Sequence, residues 1–166
     1  MEKIGDQVTV RMAGTTPKEI DAIYRYIYLL GEYQKMSAQA VCISKETLKE
    51  QMENKTLEVA LAEYKGEPIG LGLFYTLASG FSGKTSMFLN IFYVEEKVRF
   101  LGAGRKIISF LSQICLDRNY ERMEWLCLDW NEPSIKFYKS VDSRIIDTIT
   151  TYRLMPEDME KLAAEK

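Results

Sequence analysis

The chain has 166 residues, 46% of them hydrophobic and 11% aromatic, which fits one domain with a sizeable core and argues against disorder. Its net charge of −2 argues against a general nucleic-acid binder, which carries a strongly basic balance. There is no histidine, which excludes a Ser-His-Asp or Cys-His catalytic arrangement, and the three cysteines match neither a zinc pattern nor a disulfide framework, so no metal is expected.

Cys42, Cys115 and Cys127 read as reduced thiols. The N-terminal Met1-Glu-Lys-Ile-Gly-Asp6 lacks an apolar signal core, and no run approaches membrane-spanning length. A cytoplasmic single domain over residues 1–166, with no membrane or nucleic-acid partner, is the expectation.

In chain order, Gln7–Met12 alternates as a first strand. Thr16 offers an N-cap, Pro17 suits the first helical position and Glu19 completes a capping box. Ile20, Ile23, Tyr24, Ile27 and Tyr28 then share a helix face that ends near Gly31. Ser44 opens a second helix running to about Glu53. Between them Glu32–Ile43, which contains Tyr33, is either an ordinary connector or a loop that shapes a substrate site. Leu57–Tyr64 and Pro68–Tyr75 read as strands joined by Lys65-Gly66-Glu67, and Ala78–Lys84 loops back into a strand over Thr85–Val94.

Gly104–Arg118 has helical spacing, and Arg122–Leu128 reads as a strand, so strands four and five should lie parallel across a βαβ unit. Asn131 caps a short helix through about Ser140. Ser143–Asp147 and Thr150–Leu154 fit a final pair of strands, and Pro156 opens a charged tail, helical or frayed.

The chemistry concentrates where strand four hands over to the next helix. Gly102 and Gly104 remove side chains at a helix start, whose first N–H groups lack internal partners and carry the positive dipole end. Arg99, Arg105 and Lys106 add cations. This is either a pyrophosphate or other anion site, or a capping loop with incidental glycines. It is neither G-x-x-x-x-G-K-[ST] nor a complete G-x-G-x-x-G.

Arg99-x-x-Gly102-x-Gly104 after a buried strand resembles the acetyl-CoA pyrophosphate motif of the GNAT superfamily of N-acetyltransferases. Leu128-Asp-Trp-Asn-Glu-Pro-Ser-Ile-Lys-Phe-Tyr-Lys139 and Thr150-Thr-Tyr-Arg-Leu154 resemble its spermidine/spermine (diamine) acetyltransferase branch, and the similarity covers Leu71 to Leu154. The resemblance implies an α/β (mixed α+β) fold. Its central mixed, mostly antiparallel sheet is splayed between strands four and five, flanked by helices, with the pantetheine arm of acetyl-CoA in the opening. Backbone groups of Phe92, Tyr93 and Val94 would bond the pantetheine amides. Arg99, Phe100, Leu101, Gly102, Ala103, Gly104 and Arg105 would form the pyrophosphate turn, and Asn131 and Ser134 would contact the pantetheine end. Tyr138 would lie near the cofactor sulfur as general acid, a role that suits a phenol of pKa near 10. Its alternative is an aromatic packed on a helix face.

The sequence departs from the family at three positions. Phe100 stands where glycine is frequent, and Asn90 and Ile91 stand where the polyamine enzymes carry a glutamate base and a second acidic residue. Asparagine cannot take a proton at neutral pH, so the base is water-mediated or comes from elsewhere, such as Glu95 or Glu124. Asn90 and Tyr33 are the candidates on the acceptor side. The resemblance implies an acetyl-CoA-dependent N-acetyltransferase acting on a small-molecule primary amine, polyamine- or amino-acid-like, by direct attack. It also implies a homodimer built on the C-terminal strands. The competing readings are a catalytically weak acyl-CoA-binding or regulatory domain, and a protein N-acetyltransferase.

Overall fold

In the computed structural model, which describes residues 7–37 and 39–165, β1 (Val8–Met12) leads into α1 (Pro17–Tyr33). The capping box forms as the sequence predicts: the Thr16 hydroxyl accepts the Glu19 N–H, and the Glu19 carboxylate accepts the Thr16 N–H. α1 buries Ile20, Ile23, Tyr26, Ile27 and Leu30 along one stripe and runs one half-turn past Gly31. α2 (Lys45–Glu53) starts at Ser44, whose hydroxyl accepts the Thr47 N–H, and buries Leu48 and Met52.

β2 (Glu58–Tyr64), β3 (Glu67–Ala78) and β4 (Thr85–Val94) form an antiparallel meander, with β1 against β2. Tyr64 pairs with Glu67 across a two-residue turn in which Lys65 and Gly66 both have positive φ, the type I′ pattern that matches strand twist. After β4 come α3 (Ala103–Asp117) and β5 (Met123–Glu124), which lies parallel to β4 as expected. The strand order is β1-β2-β3-β4-β5.

One sheet face, including Val59, Leu61, Leu71 and Leu73, packs on α1 and α2 around Tyr26. Side chains alternate faces, so Gly72 looks the other way. A β-carbon on Gly72 would lie 2.9 Å from Leu111 Cδ1 and 3.0 Å from Ile107 Cγ2, so the missing side chain lets α3 close on β3.

Two compact units divide the chain, one ending at Leu126 and the other beginning at Cys127. The second holds α4 (Glu132–Ser140) and α5 (Pro156–Ala163). Two expectations are corrected. The strand expected over Arg122–Leu128 shrinks to Met123–Glu124, because only those residues find a parallel register on β4. The final strand pair over Ser143–Asp147 and Thr150–Leu154 does not form; neither segment is bonded to a strand edge, and β-branched content supplies propensity but no partner.

Candidate active site

β4 departs from regular geometry before it leaves the sheet. Leu73 on β3 faces Ile91 while Phe74 faces Leu89, which leaves Asn90 as the extra residue of a bulge. Bulges re-aim side chains and are over-represented beside active sites. Asn90 is exposed at this point, whereas Ile91 packs half-buried against the α1–α2 core. Phe92, Tyr93 and Val94 pair with Gly72, Leu71 and Gly70 on β3. On the other side, the ladder with β5 covers only Met87 and Phe88, so β4 continues well past it.

The chain then winds through a 3-10 turn, Glu96–Leu101, into Gly102. Gly102 has a φ of 75°, a left-handed conformation that favours glycine, and it heads α3 without a side-chain cap. Among the described residues, a β-carbon there would meet nothing within 4 Å. The first turn of α3 contains no acidic residue. A helix start without a side-chain cap, at the positive dipole end, is the kind of backbone environment that favours an anion. Ala103 is buried, Gly104 is half-buried, and Arg105 is an exposed residue of the same turn. Leu101 is half-buried; Phe100 contributes its backbone to the 3-10 turn, and its side chain lies outside the described residues.

The cations around this turn are used differently from the sequence expectation. Lys106 donates to the Val8 carbonyl at 2.7 Å, so it braces α3 against β1. Arg99 Nε donates to the Val94 carbonyl at 3.1 Å, and its guanidinium lies 5.5 Å from the ring of Tyr33 at the end of α1. Arg99 thus ties the turn to β4 and sets Tyr33 beside it.

Of the two carboxylates considered as bases, Glu95 is already engaged. Its Oε1 lies 2.7 Å from Arg25 Nη2 and 3.0 Å from the Tyr26 hydroxyl, and its Oε2 lies 2.9 Å from Lys97 Nζ. Burial pushes its pKa up, but bonds from Lys97 and Tyr26 and the charges of Lys97 and Arg25 outweigh that and hold it below the ordinary carboxylate value. A carboxylate held in that way is a poor proton acceptor near neutral pH. Glu124, on β5, is bridged to Arg122 Nε at 3.1 Å. Sequence reasoning missed the Arg25–Tyr26–Glu95 cluster; the only local signal is a charged residue directly after an apolar strand.

The second unit holds the remaining candidates. Asn131, 5% exposed, caps α4, its Oδ1 accepting the Ser134 N–H at 3.4 Å. Ser134 is half-buried in the first turn, and Tyr138 lies one turn further on with Phe137 edge-on at 5.6 Å. Burial, and secondarily the neighbouring Cys127, push the Tyr138 phenol well above its ordinary pKa, so it stays protonated through the physiological range. The Cys127 thiol is itself raised by burial and by Asp129, which keeps it a thiol rather than a nucleophilic thiolate.

Residues 24–142 match the model of the acetyltransferase (GNAT) family. Thialysine N-epsilon-acetyltransferase of Sus scrofa is 32% identical over 156 residues, covering 86% of this chain and 91% of that protein. Spermidine/spermine N(1)-acetyltransferase-like protein 1 of Homo sapiens is 32% identical over 72 residues, 43% of this chain and 10% of that protein. Among solved structures, an aminoglycoside acetyltransferase from an uncultured soil metagenomic sample, in complex with sisomicin, superposes with a TM-score of 0.78 over 92% of this chain and 98% of that one. At 14% identity it speaks for the fold alone.

Proposed function

The chain belongs to the GNAT family of acetyltransferases, on the diamine acetyltransferase-like branch, and we propose that it moves an acetyl group from acetyl-CoA to a primary amine of a small molecule. Acetyl-CoA supplies the acetyl group activated as a thioester. The observation that carries the reading is the start of α3 behind left-handed Gly102, which has no side-chain cap and would seat a pyrophosphate. The backbone of Phe92, Tyr93 and Val94 would hold the pantetheine amides, and Asn131 and Ser134 its end, within a single catalytic domain spanning 1–166.

Tyr138 is assigned the proton that the sulfur takes up as the C–S bond breaks and the N–C bond forms. Burial keeps the phenol protonated at every working pH, so the proton is there to give, although the same raised pKa makes it a weaker donor than a free tyrosine. The amine's own proton leaves to water, since Asn90 cannot accept it and Glu95 is held by Arg25, Tyr26 and Lys97. Loss of the two family carboxylates moves the expected acceptor away from polyamines toward a lysine-like amino acid, as the name of the thialysine-acetylating relative also suggests. Asn90 in its bulge and Tyr33 under Arg99 are assigned to the acceptor side.

The same missing base favours a second reading, an acyl-CoA-binding domain of low turnover. One experiment separates the two: an amine panel assayed by release of free CoA, run beside a melting curve with and without acetyl-CoA. Turnover with an amino-acid amine supports the transferase. A cofactor-dependent melting shift without CoA release supports the binding domain. An unchanged shift in Gly102→Glu, which puts volume and negative charge into the seat, removes the basis of both.

The reading also places the protein in the cytoplasm as a homodimer. All three cysteines are free, and no helix among the described residues is long and apolar enough to cross a membrane. Ile145, Ile146 and Ile149 are exposed on a segment without strand partners.

A further inference from the structure

We propose that Glu95 is a positioning residue that pre-sets the turn on which the cofactor seat is built; the inference rests on the seat assigned above. Glu95 is where β4 ends and the 3-10 turn begins. Its N–H donates to the Ile69 carbonyl at 2.9 Å and its carbonyl accepts the Val98 N–H at 3.0 Å. Its carboxylate, only 13% exposed, gathers Arg25, Tyr26 and Lys97.

Tyr26 is the fixed point of this cluster. It is fully buried in α1, its ring lies 5.5 Å from that of Tyr93 on β4, and its hydroxyl lies 2.6 Å from the Pro68 carbonyl on β3. Arg25 Nη2 also reaches the Tyr26 hydroxyl at 3.0 Å. The carboxylate therefore clamps the first residue of the turn to Arg25 on α1. The single proton of the Tyr26 hydroxyl, shared between the Pro68 carbonyl and Glu95, ties α1 to β3 beside it, and Arg99 fastens the far side of the turn to Val94. A ligand that binds backbone N–H groups gains from having those groups held in place beforehand, because ordering the loop would otherwise be charged against binding. No step of the acetyl transfer needs Glu95, so its contribution belongs to affinity rather than turnover.

The test is a KM-against-kcat split on Glu95→Gln, with CoA binding by calorimetry and a melting curve without cofactor. CoA affinity and KM for acetyl-CoA should weaken about tenfold, the scale of a lost pre-organising contact, while kcat at saturating acetyl-CoA is retained. Arg25→Gln, at a side chain more than half exposed, does not put folding at stake and should weaken CoA binding in the same direction. In the double variant the two losses should fall short of their sum, since both act through one cluster. Unchanged affinity in Glu95→Gln with a lowered melting temperature would make the cluster a structural brace and overturn the inference. So would a fall in kcat at saturation, which would place Glu95 in the chemistry. Gly102→Glu distinguishes the two levels. If it abolishes CoA binding while Glu95→Gln binds normally, the seat stands and only the positioning role falls. If it too binds normally, the seat lies elsewhere and the inference falls with it.

Discussion

At Tyr138 the environment favours the protonated phenol. A phenol held above its ordinary pKa of 10.0 remains neutral as the solution is made alkaline, so it continues to donate where an exposed tyrosine would begin to fail. A lysine-like amine with a pKa near 10.4 is mostly protonated at pH 7, and only the neutral amine attacks. Turnover should therefore rise with pH by up to about tenfold per unit and show no descending limb before pH ~10. Tyr138→Phe should lower kcat about 10²–10⁴-fold with little change in CoA affinity. A plateau near pH 7 would reveal a tuned base other than Glu95; full activity in Tyr138→Phe would return that residue to packing. Ser86 carries a different prediction. It is 1% exposed and its hydroxyl has no hydrogen-bond partner among the described residues. Ser86→Ala removes a buried unsatisfied group and should stabilise the fold by about 1 kcal/mol, read as a melting temperature raised by a few degrees. Local backbone features were legible in the sequence, as with Gly102 at the start of α3 and Asn131 as the cap of α4, because each depends on its immediate neighbours. The partners of Glu95 were not, since Arg25 lies 70 positions away and only the fold brings it near.

The start of α1 shows how an element's stability can hang on one carboxylate. Burial pushes Glu19 up in pKa, but the Thr16 hydroxyl, Arg11 and the N–H groups of Gly14 and Thr16 outweigh it and bring the pKa to about 2. The folded value lies below the unfolded one, so this stability is fully present above about pH 4.5 and drains away as pH falls toward 2. Glu19→Gln should cost up to about 3 kcal/mol at pH 7, and the gap from wild type should close through that acid window. A gap that does not change with pH would assign the loss to packing. The same cap was legible because the S/T-x-x-E pattern is local. β4 and α3 were legible through apolar run length and helical period. The bulge at Asn90 was not, because register belongs to a pair of strands and only one is visible at a time in the sequence. The short β5 and the missing final strands share that cause: a strand is a pairing, and propensity does not name the partner.

For the molecule as a whole, the segment after α4 poses the question of what covers it. Ile145 is 74% exposed, Ile149 69% and Tyr152 91%, on a stretch that joins no sheet among the described residues. Large apolar side chains exposed this close together in sequence are candidates for burial against a partner. β-branched and aromatic residues here have the composition of strands without an edge to pair with, and a second copy supplies such an edge by symmetry. Static light scattering should therefore give twice the chain mass at micromolar concentration. Ile145→Asp combined with Ile149→Asp should shift the species to monomer, because charges buried in an interface core lack partners there. If pairing also orders the segment, far-UV circular dichroism should show less strand signal in the charged variant than in wild type at equal concentration. A wild-type monomer at micromolar concentration would dispose of the dimer. A charged variant that remains dimeric would move the interface away from Ile145 and Ile149 while leaving the assembly intact.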